Sequence, residues 1–472
     1  MRLCLIASKP TDSVIQGFLP AAARLGLEVV LVTDKPEEHE RARARSRLLP
    51  RPGCPRPRAR RDGDGQLGDG QLGGGQLGDG QLGDGRNGDG HDHEVPPVRY
   101  VGCDVWDARE LIGAIAGLPA PHAIVSNSDH LQTQTALAAE YFGLPGKDWR
   151  SALRAKNKSL MRRRLAEAGL EHVAAAEIRD AGGPPPDGLR YPVVLKPAEG
   201  VASEDVVLVT SPAELAEQSA RILARRPGEK LLAEEYLPGE LRTLETLTDG
   251  KTTWVLGGFR TTLSPLPFFI EERLTWAAPV PGTAREHVLG ALGALGSGFG
   301  ACHTEYVDGV QGPVLVEVND RLIGDHCDFV LSDLLGVDLF ELVLRVHLGE
   351  PLPPEPPARR GTRGWEDSRA GDTGWGDPRS GGTGHAVIDY VVADRSGVLA
   401  SVPPAGPRLL PEQDVLLSYQ SLRTAGDRID VTHTNRDYLG VITAIGPDAT
   451  AVERALAAAR TRESWLVTGS RP

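Results

Sequence analysis

Chemistry in this sequence concentrates between Glu305 and Asp325. His303-Thr-Glu305-Tyr-Val and Val314-Leu-Val-Glu317-Val-Asn319-Asp-Arg321 are alternating apolar runs. Asp308-Gly309 and Gly312-Pro313 lie between them, which predicts a hairpin. Side chains alternate faces along a strand. Glu317, Asn319 and Arg321 are therefore expected on one face and Val316 and Val318 on the other, with Glu305 reaching the first face from the neighbouring strand. Two carboxylates and an amide oxygen form a hard-oxygen set suited to Mg²⁺ or Mn²⁺, and such an ion with few protein ligands usually shares its shell with nucleotide phosphates. Arg321 beside them suits a phosphoryl group or a substrate carboxylate. The plain alternative is a solvated strand face.

Upstream, Tyr191-Pro-Val-Val-Leu-Lys196 ends an apolar run in a lysine, which is costly to bury unless it meets an anion. The loop Ala198-Glu-Gly200-Val-Ala-Ser203 follows. Strand, small-residue loop and strand make a phosphate-covering flap, with Ser203 as its hydroxyl. Lys158, in Lys156-Asn-Lys158, opens a basic helix over 159–169 and is a second phosphate candidate. Leu231-Leu-Ala-Glu234-Glu235-Tyr236-Leu237-Pro-Gly239-Glu240 ends a strand in a Pro-Gly turn. This predicts a hinge whose backbone could read an adenine edge.

These residues need a scaffold. Apolar runs at 2–8 and 27–33 flank a helical pattern over 12–25 that Asp12 or Ser13 could cap, an α/β arrangement with parallel strands. Residues 99–105 and 122–126 read as further strands, and 108–116 and 131–142 as helices. The N-terminal unit is thus expected over 1–146, with a disordered insert at 41–94 that holds an arginine- and proline-rich run and four QLGDG-type pentapeptides at 66–85. A central unit follows over 147–350, with strands at 193–196, 206–209, 231–235, 241–247 and 314–318 and a closing helix at 334–348. Residues 351–384 read as a linker. A C-terminal α+β unit over 385–472 has strands at 385–392, 415–419 and 438–444 and a helix at 449–460.

The net charge of −12 argues against a general nucleic-acid binder. No stretch approaches the roughly 20 apolar residues of a membrane span. The five cysteines lack CxxC spacing and are expected as reduced thiols in a cytoplasmic protein.

Taken in order, the helix-start lysine in NKSLMRRRLAEAG, the strand lysine in YPVVLKP, the hinge Glu234-Glu235-Tyr236-Leu237 and the pair TEY and VEVNDRLIGDH resemble the ATP-grasp superfamily. The C-terminal HAVIDY and DYLGVITAIG look like the lid of its biotin-carboxylase-like branch. The resemblance implies an α/β and α+β multidomain protein with a Rossmann-like pre-ATP-grasp domain, an ATP-grasp core and a β-rich lid. It implies Lys158 and Lys196 on ATP phosphates, Ser203 in the flap, and Glu234, Glu235 and Leu237 at the adenine. Glu305, Glu317 and Asn319 would hold Mg²⁺, with Arg321 on the phosphoryl or acyl group. The chain departs from the family pattern in three places. The flap is poor in glycine, and Glu204 and Asp205 are expected to bring acids near the phosphates. Position 241 is leucine where a ribose-binding acid is usual, so Glu240 or Glu245 must serve instead, or neither does. Asp325 stands where biotin carboxylases keep a glutamate base, which makes bicarbonate chemistry less fitting. The implied function is an ADP-forming carboxylate–amine ligase, set in siderophore or peptide natural-product assembly, with small-molecule acid and amine substrates, no nucleic-acid or membrane partner, and a homodimer as its assembly. The alternatives are a carboxylase of the biotin or purine type and a non-catalytic nucleotide-binding protein.

Overall fold

The computed structural model describes residues 1–46, 97–180, 186–356, 384–410, 412–462 and 465–469. The N-terminal unit is a four-stranded parallel sheet in the order Val98–Gly102, Glu28–Thr33, Arg2–Ile6, Ala123–Ser126. Arg2–Ile6, Glu28–Thr33 and Ala123–Ser126 are mostly buried apolar runs because both faces are covered, while the edge strand Val98–Gly102 is partly exposed. Cys4, Ile6, Val30 and Val32 pack against the helices Ala108–Ala116 and Gln132–Tyr141, while Leu3, Leu5, Val29 and Leu31 join a larger core. That larger core also takes in Trp254, Leu274, Phe340 and Ile388, so the N-terminal sheet, the central strands and the first C-terminal strand are packed as one body.

The central sheet has ten strands. It runs Gly312–Asn319, Gly300–Gly309, Glu240–Thr248, Phe259–Leu263, Glu271–Trp276, His385–Val392, Tyr438–Gly446, Val415–Ser421 and Gly406–Leu410, with Thr253–Gly257 paired on Glu240–Thr248. The C-terminal strands are therefore not a separate layer. His385–Val392 hydrogen-bonds directly to Glu271–Trp276, with Arg273 opposite Asp389. A second, antiparallel sheet stands apart, in the order Ala175–Ile178, Leu231–Glu235, Val193–Pro197, Val207–Val209. With the helix Pro212–Arg225 it carries a core of its own built on Val193, Leu195, Leu215 and Ile222.

Four local readings are corrected. The disordered insert expected over 41–94 is helical at its start: a helix spans Pro36–Ser46, with Glu37 and Glu38 in its first turn and Arg43 and Arg45 in its last, a charge order that suits the helix dipole. The pentapeptides at 66–85, and Cys54, lie outside the described residues. The helix expected at 334–348 is two, Cys327–Leu335 and Leu339–His347, split where Gly336 takes a left-handed φ of 65° and Asp338 caps the second. Asp12 does not cap the first helix: it is itself helical, and its carboxylate turns to Gln16 and His326. The helix Trp149–Lys156, capped by Asp148, was not anticipated. Cys4, Cys103, Cys302 and Cys327 are free thiols, as expected.

Beneath the central sheet, His347 ends the helix Leu339–His347 at 5% exposure, edge-on to Phe299. Burial, helped by Lys147, pushes its imidazole down to about 3. The unfolded chain protonates this histidine below roughly pH 6.5 while the folded chain refuses the proton. Stability is therefore lost as pH falls from that value toward 3. Urea unfolding of wild type and His347→Gln between pH 6.5 and 4.5 should show an extra loss in wild type of up to about 1.4 kcal/mol per pH unit. Parallel pH profiles would refute a neutral buried histidine.

Candidate functional site

The hairpin forms in the expected register. Glu305 lies opposite Glu317, and His303 opposite Asn319. Beyond Glu305 the pairing slips, so that Tyr306 faces Leu315 and Val316 is an extra residue, a β-bulge. The bulge corrects the expected alternation. Val316 lines the same cavity as Glu317, whereas Leu315 and Val318 pack into the core behind with Ala291 and Leu292. The buried Lys158 ammonium sits 3.0 Å from Glu317 Oε1 and donates to the Gly200 carbonyl at 3.1 Å. Asn157 caps the helix Lys158–Glu167 by accepting from Leu160 N–H. The Lys158 N–H bonds Ala198 O, which ties the helix start to the flap strand.

Lys196, at the end of its strand, places its ammonium on the Glu234 carboxylate. Arg162 donates to Glu234 at 2.9 Å and to Glu171 at 3.1 Å. Burial alone would raise the Glu234 pKa, but these two cations outweigh it and hold the carboxyl down to about 2. The Glu234 side chain is thus committed to a buried network. The segment from Glu234 to Gly239 passes from the small sheet into the central one, as a hinge should. Glu235, Tyr236, Leu237 and Glu240 line the same cleft, and Glu240 pairs with Arg242 at 2.5 Å and Arg260 at 3.5 Å.

In the flap, Ala202, Ser203 and Asp205 all have left-handed φ values, between 53° and 57°. Such strain in non-glycine residues persists only where surroundings impose it. Here Ser203 Oγ donates to Phe269 O at 2.8 Å, and Asn435 N–H donates to Ala202 O at 3.2 Å. Glu204 and Asp205 do not face the cleft as expected. Glu204 pairs with Arg226 at 2.7 Å and with Arg436, and Asp205 with Arg226 at 2.5 Å and with Arg225. The flap thus rests on the C-terminal turn around Asn435, whose side chain also accepts from Glu271 N–H.

Two cavities of about 650 Å³ each meet at Glu271, Glu305 and Glu317, under the flap residues Val201 to Ser203. The first contains Lys158, Lys196 and the hinge. The second opens at the carboxyl ends of Arg2–Ile6 and Ala123–Ser126, adjacent parallel strands whose connections leave in opposite directions, the usual ligand position in open α/β sheets. Arg321, Asp325, Asn319, Asp12, Asp129 and His326 line it. Asp325 and His326 both have left-handed φ, 54° and 67°, and His326 pairs with Asp12 at 3.2 Å. Desolvation, with Glu305, Asp325 and Glu317 facing it, pushes Glu271 up to about 8. His303, buried between Glu245 at 2.8 Å and Glu305 at 3.4 Å, is raised to about 10 because these acids outweigh its burial. Among the described residues no cluster of three or more His, Cys, Asp or Glu could hold a metal alone. Two facing carboxylates with an excess of negative charge nevertheless fit an Mg²⁺ that completes its shell from phosphates.

Of the residues singled out in the sequence, Lys158, Lys196, Ser203, Glu305 and Glu317 line the first cavity, and Ser203, Glu305, Glu317, Asn319, Arg321 and Asp325 line the second. The sequence reading gave no site role to Asp129 or Asp12. The signal for Asp129 was there: Asn127-Ser-Asp-His follows a buried strand beside the first strand of an α/β unit.

The L-amino acid ligase of Bacillus licheniformis superposes over 99% of both chains with a TM-score of 0.67 at 20% identity. The fold is ATP-grasp. Other solved ATP-grasp structures agree. Phosphoribosylglycinamide synthetase from Anaerococcus prevotii matches over 99% of both chains at 12% identity, with a TM-score of 0.62. The biotin carboxylase domain of the Hydrogenobacter thermophilus 2-oxoglutarate carboxylase, solved with MgADP, ADP and bicarbonate, matches over 99% of this chain and 91% of that one at 14% identity, with a TM-score of 0.60. In sequence, the uncharacterized protein y4rH of Sinorhizobium fredii is 31% identical over 223 residues, which span 44% of this chain and less than half, 45%, of that protein. No family model matches the chain. No helix among the described residues is long and apolar enough to cross a membrane.

The flap's tie to the C-terminal turn yields a prediction. Arg436 is 65% exposed, so its pair with Glu204 adds little to global stability, under about 1 kcal/mol. Arg436→Glu places like charges at the latch and should speed limited proteolysis within the flap about three- to fivefold, with the melting temperature nearly unchanged. Equal cleavage rates in the two proteins would show that the latch does not hold the flap.

Proposed function

We propose that the chain is an ADP-forming ligase that joins a carboxylate to an amine through an acylphosphate, using ATP and Mg²⁺. The observation that carries this reading is the junction of the two cavities at Glu271, Glu305 and Glu317, with Arg321 on the far side of it. A nucleotide in the first cavity points its terminal phosphate at a compartment that can hold an acid on a guanidinium.

In this reading Lys158 and Lys196 bind phosphate oxygens, and Ser203 and the flap backbone cover them. Glu234, Glu235 and Leu237 present backbone groups to adenine, and Glu240 stands nearest the ribose. Glu305, Glu317 and Asn319 hold Mg²⁺, which supplies charge neutralisation at the transferred phosphoryl group. Arg321 orients the substrate carboxylate, whose oxygen attacks the γ-phosphorus as the bond to ADP breaks. The amine nitrogen then attacks the acyl carbon, phosphate leaves, and Asp325 takes the proton released from nitrogen. The protein's contribution is positioning and electrostatics under a closed flap that keeps water from the acylphosphate. The likeness to an enzyme named L-amino acid ligase supports this branch, and the short Asp325 in place of a glutamate favours it over bicarbonate chemistry. Siderophore or peptide natural-product assembly is the setting that this reading fits.

The reading is tested by screening pools of acids and amines for ADP formation. Turnover should require one member of each pool and no bicarbonate. Turnover that depends on bicarbonate makes the chain a carboxylase, and tight ATP binding without ADP in any mixture makes it a binding protein. Glu317→Gln should reduce ADP formation by about two to three orders of magnitude. Full activity in that variant would remove Glu317 from the metal site.

A further inference from the structure

Asp129 lies 192 positions from Arg321 in sequence, yet its carboxylate meets the guanidinium Nε at 3.1 Å. The same carboxylate faces the Asn319 amide, which donates to its two oxygens at 2.7 and 3.0 Å once its NH₂ is turned toward them. It lies 3.6 Å from the Lys156 ammonium, a buried group with no hydrogen bond of its own. Burial would raise the Asp129 pKa, but Arg321, Lys156 and Lys158 hold it at about 2.

The loop that carries Asp129 is itself held firmly. Ser126 Oγ donates to Ile6 O at 2.7 Å, and Gln132 Nε2 donates to the carbonyls of Ser126 and Ser128, both at 2.9 Å. Two residues before Asp129, Asn127 Oδ1 accepts from Leu322 N–H at 3.2 Å. The N-terminal sheet thus grips the end of the metal hairpin at two points. Arg321 Nη1 donates to Leu322 O at 2.9 Å. With Nε on Asp129 and Nη1 on the backbone, Nη2 remains for an oxygen in the second cavity. Without Asp129, three cations, Lys156, Lys158 and Arg321, would crowd one buried space and repel one another.

We propose that Asp129 is a positioning residue for both halves of the reaction: it aims Arg321 at the substrate carboxylate and turns the Asn319 amide so that Oδ1 serves the metal. This inference rests on the ligase reading for Arg321 and on the metal assignment for Asn319. Asp129 itself touches neither substrate. Carboxylates that orient ligands in this way typically control metal affinity or activity by about 10- to 100-fold.

The test uses the full chain with Mn²⁺ as a paramagnetic probe, titrated in the presence of ATP. Asp129→Asn should weaken Mn²⁺ binding and raise the KM of the carboxylate substrate by about 10- to 100-fold each, while the KM for ATP moves less than about threefold. Asp129→Glu, which keeps the charge, should recover part of both losses. Should Asp129→Asn fail to fold, Asp129→Glu is read alone and is expected to shift Mn²⁺ affinity by about three- to tenfold, because the longer arm displaces the Asn319 amide. A folded Asp129→Asn with wild-type Mn²⁺ affinity and wild-type KM for the acid overturns the proposal. So does a uniform loss of ATP, metal and acid binding, which marks a scaffold residue. If wild type turns over no acid–amine pair, the ligase reading fails, and the Mn²⁺ titration still decides whether Asp129 orients Asn319.

Discussion

Like-charge repulsion organises this molecule. Glu271, Glu305 and Glu317 meet at the junction of two cavities, with Asp325 nearby, in surroundings where water screens poorly. Each carboxylate left uncompensated there is costly. The surrounding fold answers with cations drawn from separate elements: Lys158 from a helix start, His303 from the hairpin and Arg321 from beyond its end. In the proposed reading, the remaining compensation is the charge that a divalent ion and its nucleotide would bring together.

Two kinds of mechanical connection follow from the packing. The N-terminal sheet, the central strands and the C-terminal strands share one core and, for the last two, one sheet. They can move against one another only by breaking that core. The small sheet of Val193–Pro197 and its neighbours has a core of its own and meets the rest through the hinge, the helix start at Lys158 and the flap contacts. Relative motion is therefore least costly for that unit, whose flap rests on the C-terminal turn at Asn435 and Arg436.

Much of the site was legible because the signals were local. Alternation in a hairpin carries Glu305, Glu317 and Asn319 to one place, and a lysine ending an apolar strand announces a buried anion. The failures have equally physical causes. Val316 faces the cavity because of a bulge, and no turn residue or glycine marks that bulge in the sequence. Glu204 and Asp205 were misassigned because their partners, Arg225 and Arg226, end a helix that went unread. The place of Asp129 after a buried strand was readable, but its contact with Arg321 spans 192 positions, which no periodicity encodes.

The long insertion in the N-terminal unit leaves the helix Pro36–Ser46 and returns at Val98, the amino end of a parallel strand. The second cavity opens at the carboxyl ends of that sheet. The attachment points thus lie at the end of the sheet away from that cavity. That geography makes the segment a natural graft site. Evolution can lengthen it, and an engineer can replace it with a reporter or a tether, while the cavity end of the same sheet keeps its geometry.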